Sequence, residues 1–251
     1  MSISLSRQAV IGLQAIWCLA CTSAISTVIA QTCSAKSSDK ITPVIELYTS
    51  EGCSSCPPAD KWLSTLKDAS SANPNAPAPV VQAFHVNYWD YIGWTDRFAT
   101  PAHTARQRQV SAWQNSGQIY TPQVVGNGRD LRNWNRWNAE QETAAVAISL
   151  KQEMGGVFSA QVQATTSMAW SAYWTVTEDG YSSKVKAGEN SGEFLKHDFV
   201  VRQYQSAGDH TGNSKLVLQA IPKDAAHPRH INLVIFNPQT GKPLQALSLP
   251  C

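Results

Sequence analysis

Four residues, Cys53-Ser54-Ser55-Cys56, carry the spacing at which two thiols can form and break a disulfide with a second dithiol. They follow a compact β-type run, "PVIELYT" (43–49), and precede Pro57-Pro58 and "ADKWLSTLKDA". Trp62, Leu63 and Leu66 recur at helical spacing, and prolines suit a first helical turn, where a missing N–H costs nothing. A thiolate at a helix start is stabilised by unpaired N–H groups and the helix dipole, so its pKa falls. Cys53, outer and earlier, is the expected nucleophile. Cys56, one turn in, is the expected resolving thiol. Ser54 and Ser55 add no charge, and Glu51 and Asp60 raise the thiolate pKa, so neither an extreme oxidant nor an extreme reductant is expected. Glu46 lies mid-strand among apolar neighbours, seven residues before Cys53. A half-buried carboxylate beneath the pair and facing Cys56 would have a raised pKa and could relay a proton.

The elements that must hold these groups follow from pattern. A strand and then Cys-x-x-Cys at a helix start is the arrangement of thioredoxin-like folds. "VVQAFHVNYW" (80–89) reads as a second strand and residues 101–116 as a helix stopped by Gly117. "IYTPQVVGNGRD" reads as a short strand with Pro122 at its start. A proline there forfeits a ladder hydrogen bond, and in thioredoxin-like folds a cis proline at that point sits beside the cysteines; Thr121–Pro122 is therefore expected to be cis and part of the site. Residues 138–152 read as a last helix. From Val157 onward the chain reads as β-runs separated by turns, which predicts an antiparallel sandwich. The expected architecture is an α/β thioredoxin-like domain (43–154) followed by an all-β domain (155–251).

Compartment is read from the N-terminus and the cysteines. Arg7 precedes an apolar stretch, "AVIGLQAIWCLAC", and a small-residue exit, "STVIAQ", predicts a signal peptide over 1–30 cut after Ala30, with a linker over 31–42. Lipidation at Cys21 is the alternative. Export leaves Cys33, Cys53, Cys56 and Cys251 of six cysteines. In an oxidising periplasmic or secreted setting the two outlying thiols are expected to pair, Cys33–Cys251, leaving Cys53–Cys56 as the second disulfide. No apolar run of about 20 residues follows the N-terminus, so no span is expected in the mature chain. A formal charge of +2 gives no argument for nucleic acid as a partner.

"VIELYTSEGCSSCPPADKWL", "FHVNYWDYIGWTDRFATPAHTARQ", "YTPQVVGNG" and "GENSGEFLKHDFVVR" together resemble a bacterial family of secreted, thioredoxin-like proteins of unknown function, over roughly residues 43–250. The resemblance implies the fold more than the function. The chain departs from the family pattern at Tyr48, Glu51 and Asn87, where phenylalanine, glutamine and aspartate are common.

The function expected is an exported thiol–disulfide oxidoreductase that acts on protein or small thiols, needs no cofactor and works with a redox partner protein. Its oligomeric state is not legible. Two alternatives use the same residues. A Cu(I) carrier would bind through Cys53, Cys56, His85 and His103, although no methionine-rich ligand run is present. A non-enzymatic partner-binding protein would keep the disulfide inert. Tyr88, Trp89, Tyr91, Trp94 and Phe98 either pack a long loop or line an apolar groove for substrate, with Tyr88, Trp89 and Trp94 its candidate contacts. In "GENSGEFLKH", Glu189, Asn190 and His197 are expected to hydrogen-bond a turn or the other domain.

Overall fold

A computed structural model describes residues 1–2, 33–68, 77–138 and 140–251. The expected signal segment, with Cys18 and Cys21, lies outside the described residues apart from its first two positions. No helix among the described residues is long and apolar enough to cross a membrane.

The described chain runs through β1 (Ser34–Lys36), β2 (Val44–Thr49), α1 (Pro57–Thr65), β3 (Val80–His85), α2 (Pro101–Trp113), β4 (Gln123–Gly126) and β5 (Arg129–Asp130). It continues through β6 (Val146–Gln152), β7 (Val157–Ala164), β8 (Ala169–Glu178), β9 (Tyr181–Lys184), β10 (Phe194–His197), β11 (Val200–Thr211), β12 (Ser214–Gln219), β13 (Arg229–Phe236) and β14 (Pro243–Pro250). Eight strands form one mixed sheet in the order β14-β13-β8-β11-β3-β2-β4-β5. Four form a second, antiparallel sheet, β1-β6-β7-β12, and β9 and β10 make a separate hairpin.

This architecture overturns the expected α/β thioredoxin-like domain followed by a β domain. The protein is mostly β, and its large sheet draws strands from both halves of the sequence. The join is β3, buried along its whole length. A strand buried on both faces needs partners on both edges. It pairs in parallel with β2 on one side and meets β11 on the other, where the Ala83 N–H donates to Phe199 O at 2.8 Å. The helix expected over 138–152 is absent as well: 146–152 is a strand. Val146, Ile148 and Leu150 are buried in alternation, which is a period of two and not 3.6. The 31–42 segment, expected as linker, contributes β1, and the Cys33–Cys251 disulfide ties its start to the end of the chain.

One face of the large sheet carries two separate cores. Trp170, Trp174, Ile231 and Leu233 pack against the four-stranded sheet, while Ile45, Leu47, Val81 and Ala83 pack against Ala59 and Leu63 of α1. The opposite face joins Tyr48, Phe84, Val110 of α2, Tyr173 and Phe236 in one layer. Within that layer lies Glu46, and its placement corrects the expectation that it faces Cys56. Alternation along β2 puts Ile45 and Leu47 on the α1 side and Glu46 with Tyr48 on the α2 side. Arg106 Nη2 donates to Glu46 Oε1 at 2.7 Å, Tyr173 Oη donates to the same oxygen at 2.7 Å, and Tyr48 Oη donates to Oε2 at 2.5 Å. Burial alone would raise the Glu46 pKa, but Arg106 and the two phenols outweigh it and hold it below 4.5, opposite to the expected direction.

Removing one partner of such a pair leaves an uncompensated buried charge. Glu46→Gln should therefore cost about 3–5 kcal/mol of unfolding free energy at neutral pH. Because the folded-state pKa is depressed, the carboxylate's contribution is complete above pH 4.5 and is lost as pH falls through the folded value. Denaturant unfolding of both proteins should show a wide gap at pH 7 that narrows below pH 4.5.

Candidate functional site

Cys53 and Cys56 form a disulfide directly ahead of α1. Cys56 is the residue before the helix, and its carbonyl accepts from the N–H groups of Ala59 and Asp60 at 2.9 and 3.1 Å. Pro57 and Pro58 occupy the first turn, as their missing donors allow. Ser55 Oγ lies 3.4 Å from Cys53 Sγ. Cys53 was expected to be the more exposed sulfur, yet both cysteines are buried.

The turn between β9 and β10 is bonded to the cysteine loop. The Asn190 side-chain amide donates to the carbonyls of Glu51 and Cys53, both at 2.9 Å. Glu189 Oε2 accepts from the Ser54 N–H at 3.1 Å and from Ser54 Oγ at 2.7 Å. Glu189 and Asn190 thus bond a turn, as the sequence suggested, and that turn holds the cysteines. Ile92 packs between the two loops: a Cβ on Gly52 would come within 3.2 Å of its Cδ1, and one on Gly188 within 2.9 Å. A Cβ at either position would have to push the Ile92 tip aside, and Gly188 also has φ +76°, which favours glycine.

The aromatic segment packs around the same loop. Trp94 Nε1 donates to Glu51 Oε2 at 2.7 Å, and Trp89 Nε1 donates to Thr121 Oγ1 at 2.7 Å. The Trp89 Cβ lies against Gly52, so Thr121 and the cis Thr121–Pro122 bond reach the cysteine loop through this tryptophan. Trp89, Trp94 and Tyr88 are half-buried, Phe98 is buried and Tyr91 is exposed.

Next to the disulfide is a cluster that the sequence reading did not assemble. Asp60, one turn after Cys56, accepts from Thr49 Oγ1 at 2.9 Å. His85 Nδ1 lies 2.6 Å from Asp96 Oδ2, and that same oxygen accepts from the Glu51 N–H at 2.9 Å. His197 Nε2 is 3.4 Å from Glu51 Oε1, and its Nδ1 is 3.9 Å from Asp60 Oδ1. The two imidazoles meet edge to face at 4.9 Å between centroids. Burial opposes charge on Asp96, but His85 holds its pKa down at about 2. Burial also opposes charge on His197, but Asp60 and Glu51 push its pKa up to about 9. His103 is not part of the cluster. It packs edge-on against Phe84 on the α2 face, and burial lowers its pKa to about 4. The copper ligand set of Cys53, Cys56, His85 and His103 is therefore divided between the two faces of the sheet. Among the described residues, the metal-competent grouping is Asp60, His85 and His197. Asp60 had been noticed only as a nearby charge and Asp96 not at all, because no short spacing links residues 60, 85, 96 and 197.

Fold and site together define a class: a mostly β protein in which a Cys-x-x-Cys disulfide is closed under a hairpin turn beside a buried acid–imidazole cluster. The chain belongs to the family described as "Protein of unknown function (DUF1223)", which matches residues 44–237. It is similar in fold to a crystal structure of protein AGR_C_4864 from Agrobacterium tumefaciens, at 22% identity and a TM-score of 0.58, covering 84% of this chain and 95% of that one. It is also similar to HBP35 of Porphyromonas gingivalis, at 12% identity and a TM-score of 0.59, covering 84% of this chain and 76% of that one. No curated protein matches the chain.

The turn's hold on the disulfide is testable. Each hydrogen bond from Asn190 contributes about 0.5–1.5 kcal/mol, so losing two makes opening roughly 5- to 150-fold easier. Asn190→Ala should speed reduction of Cys53–Cys56 by dithiothreitol by about that factor, read by thiol alkylation and gel shift. An unchanged rate would mean that the turn does not control access.

Proposed function

We propose that the protein is an exported thiol–disulfide exchange protein whose reactive pair is Cys53–Cys56. The observation that carries this reading is the position of the disulfide, at the N-terminal end of α1 with only two residues between its cysteines, so that its reduction frees a thiol where a thiolate is favoured. So short a loop contributes little chain-entropy stabilisation, which leaves reactivity as its better use. The closed Cys33–Cys251 and Cys53–Cys56 disulfides favour an oxidising compartment.

In the oxidising direction, a client thiolate attacks Cys53 Sγ, a client–Cys53 disulfide forms, and Cys56 leaves as a thiolate. The client's second thiolate then attacks its own sulfur in that mixed disulfide and releases Cys53. The client loses two electrons and the pair gains them, so a disulfide-bearing partner must reoxidise it. The reducing direction runs the same steps backward and draws on a dithiol partner. In both directions the turn bearing Glu189 and Asn190 has to lift, because the sulfurs are buried. Trp89 and Trp94, half-buried against Gly52 and Glu51, then offer a client apolar contact beside the reacting sulfur. Glu46 takes no part, since it is on the far face of the sheet.

Cys56→Ser leaves Cys53 as a lone thiolate that can attack a client disulfide but has no neighbouring thiol to displace it, so mixed disulfides with disulfide-bearing client proteins should accumulate in the native compartment. Cys53→Ser should accumulate none. Non-reducing gels followed by mass spectrometry decide the matter. If Cys56→Ser captures nothing and the wild type neither oxidises nor reduces a model dithiol, the disulfide is inert and the reading fails.

A further inference from the structure

We infer that Asp60, His85 and His197 form a binding site for a divalent transition-metal ion of the zinc class. The site goes beyond the redox reading and is independent of it, since neither cysteine is a ligand. Three observations converge on it.

The first is orientation. Histidine ligands of metals characteristically present one ring nitrogen to the ion and the other to a carboxylate, which fixes the ring and its tautomer. His85 has that arrangement, and His197 is placed to adopt it. His85 Nδ1 is taken by Asp96 at 2.6 Å, and His197 Nε2 faces Glu51 at 3.4 Å. The nitrogens left over are His85 Nε2 and His197 Nδ1, and Asp60 Oδ1 lies 3.9 Å from the latter. One ligand atom from each of the three residues lies within 4.8 Å of the other two. Tetrahedral zinc holds nitrogen and oxygen donors at about 2.0–2.2 Å, hence about 3.4 Å apart. The side chains have to draw in by roughly 1 Å or less each.

The second is unsatisfied polarity. His85 Nε2, both nitrogens of His197 and Glu51 Oε1 are buried and have no hydrogen-bond partner. The side chains of His85 and His197 are 0% and 2% exposed. Distances of 3.4 and 3.9 Å suit charges attracted across a gap, not hydrogen bonds. Unpartnered polar atoms in a dry interior are costly. A cation at the centre would give His85 Nε2 and His197 Nδ1 a partner and let His197 settle against Glu51.

The third is charge. Glu51, Asp60 and Asp96 place three buried carboxylates around two imidazoles. Two nitrogens and one carboxylate oxygen, with hard and borderline character and no thiolate, suit zinc-class ions better than Cu(I). Phe98 meets both rings edge to face, at 5.1 and 5.8 Å between centroids, and walls the site with apolar surface. Loading is expected during folding, because the site has no open face.

The test uses the full-length protein with its disulfides closed, refolded with and without Zn²⁺ and desalted over a chelating resin. One zinc per chain should remain by elemental analysis, and the melting temperature should rise. His85→Gln and His197→Gln should each lower retained zinc at least tenfold. Asp96→Asn, which touches no ligand atom facing the ion and acts through His85 and the Glu51 and Phe98 N–H groups, should weaken affinity about 10–100-fold. The Cys53→Ser/Cys56→Ser double variant should keep full stoichiometry, which separates this site from any metal held by reduced thiols. If the histidine variants do not fold, Co²⁺ loading of the wild type decides. Tetrahedral d–d absorption without a thiolate charge-transfer band supports the site. No retained zinc in wild type, retention in both histidine variants, loss in the cysteine double variant, or a thiolate–cobalt band would each overturn the inference.

Discussion

A buried carboxylate ties the two halves of this chain together at the centre of their shared layer. Glu46 on β2 accepts hydrogen bonds from Arg106 on α2 and from Tyr173 on β8, the latter 127 residues away. In a dry layer a carboxylate tolerates burial only when its charge is matched and its lone pairs are occupied. Arg106, stacked over Tyr173 at 4.5 Å and near Trp113 and Phe236, supplies the charge. The phenols of Tyr48 and Tyr173 donate to the two Glu46 oxygens. The same layer extends through Gln82, which accepts from Thr175 and donates to Tyr173. These polar contacts are directional, so they fix the register between β2–β3 and β8 in a way that apolar packing alone does not.

That fixed register has its consequence on the opposite face. Once β3 and β11 are neighbours, the hairpin β9–β10 that precedes β11 comes down on α1. It delivers Asn190 and Glu189 to the cysteine loop and His197 to Asp60 and Glu51. The site is thus built from three distant stretches, residues 49–60, 85–98 and 188–197. None of these contains a complete constellation. The cysteine loop brings the disulfide, the hairpin turn brings Asn190, and β3 brings His85.

The two buried ionic groups differ in how well they are satisfied. Around Glu46 nearly every polar atom has a partner, with Arg106 Nε the exception. Around His197 both ring nitrogens and one Glu51 oxygen lack one. A fully bonded network secures structure, whereas an under-bonded one is costly to the fold.

The sequence by itself determined the local pieces. The strand over 44–49, the helix opened by Pro57-Pro58, the Cys-x-x-Cys between them and the helix from Pro101 were legible, because each depends on contacts a few residues apart. The run of β-strands after Val157 was legible from alternation and turns, and the same alternation at Val146, Ile148 and Leu150 was there to be read as a strand. Only the tertiary structure decided the rest. That β3 pairs with β11, merging two expected domains into one sheet, is a property of two edges 117 residues apart at Ala83 and Val200, and no local pattern encodes it. The face on which Glu46 lies followed from which core formed on each side of β2, since period two gives two faces but not their partners. The acid–imidazole cluster was hidden for the same reason: its members meet only after β3, α1 and the β9–β10 hairpin have packed together.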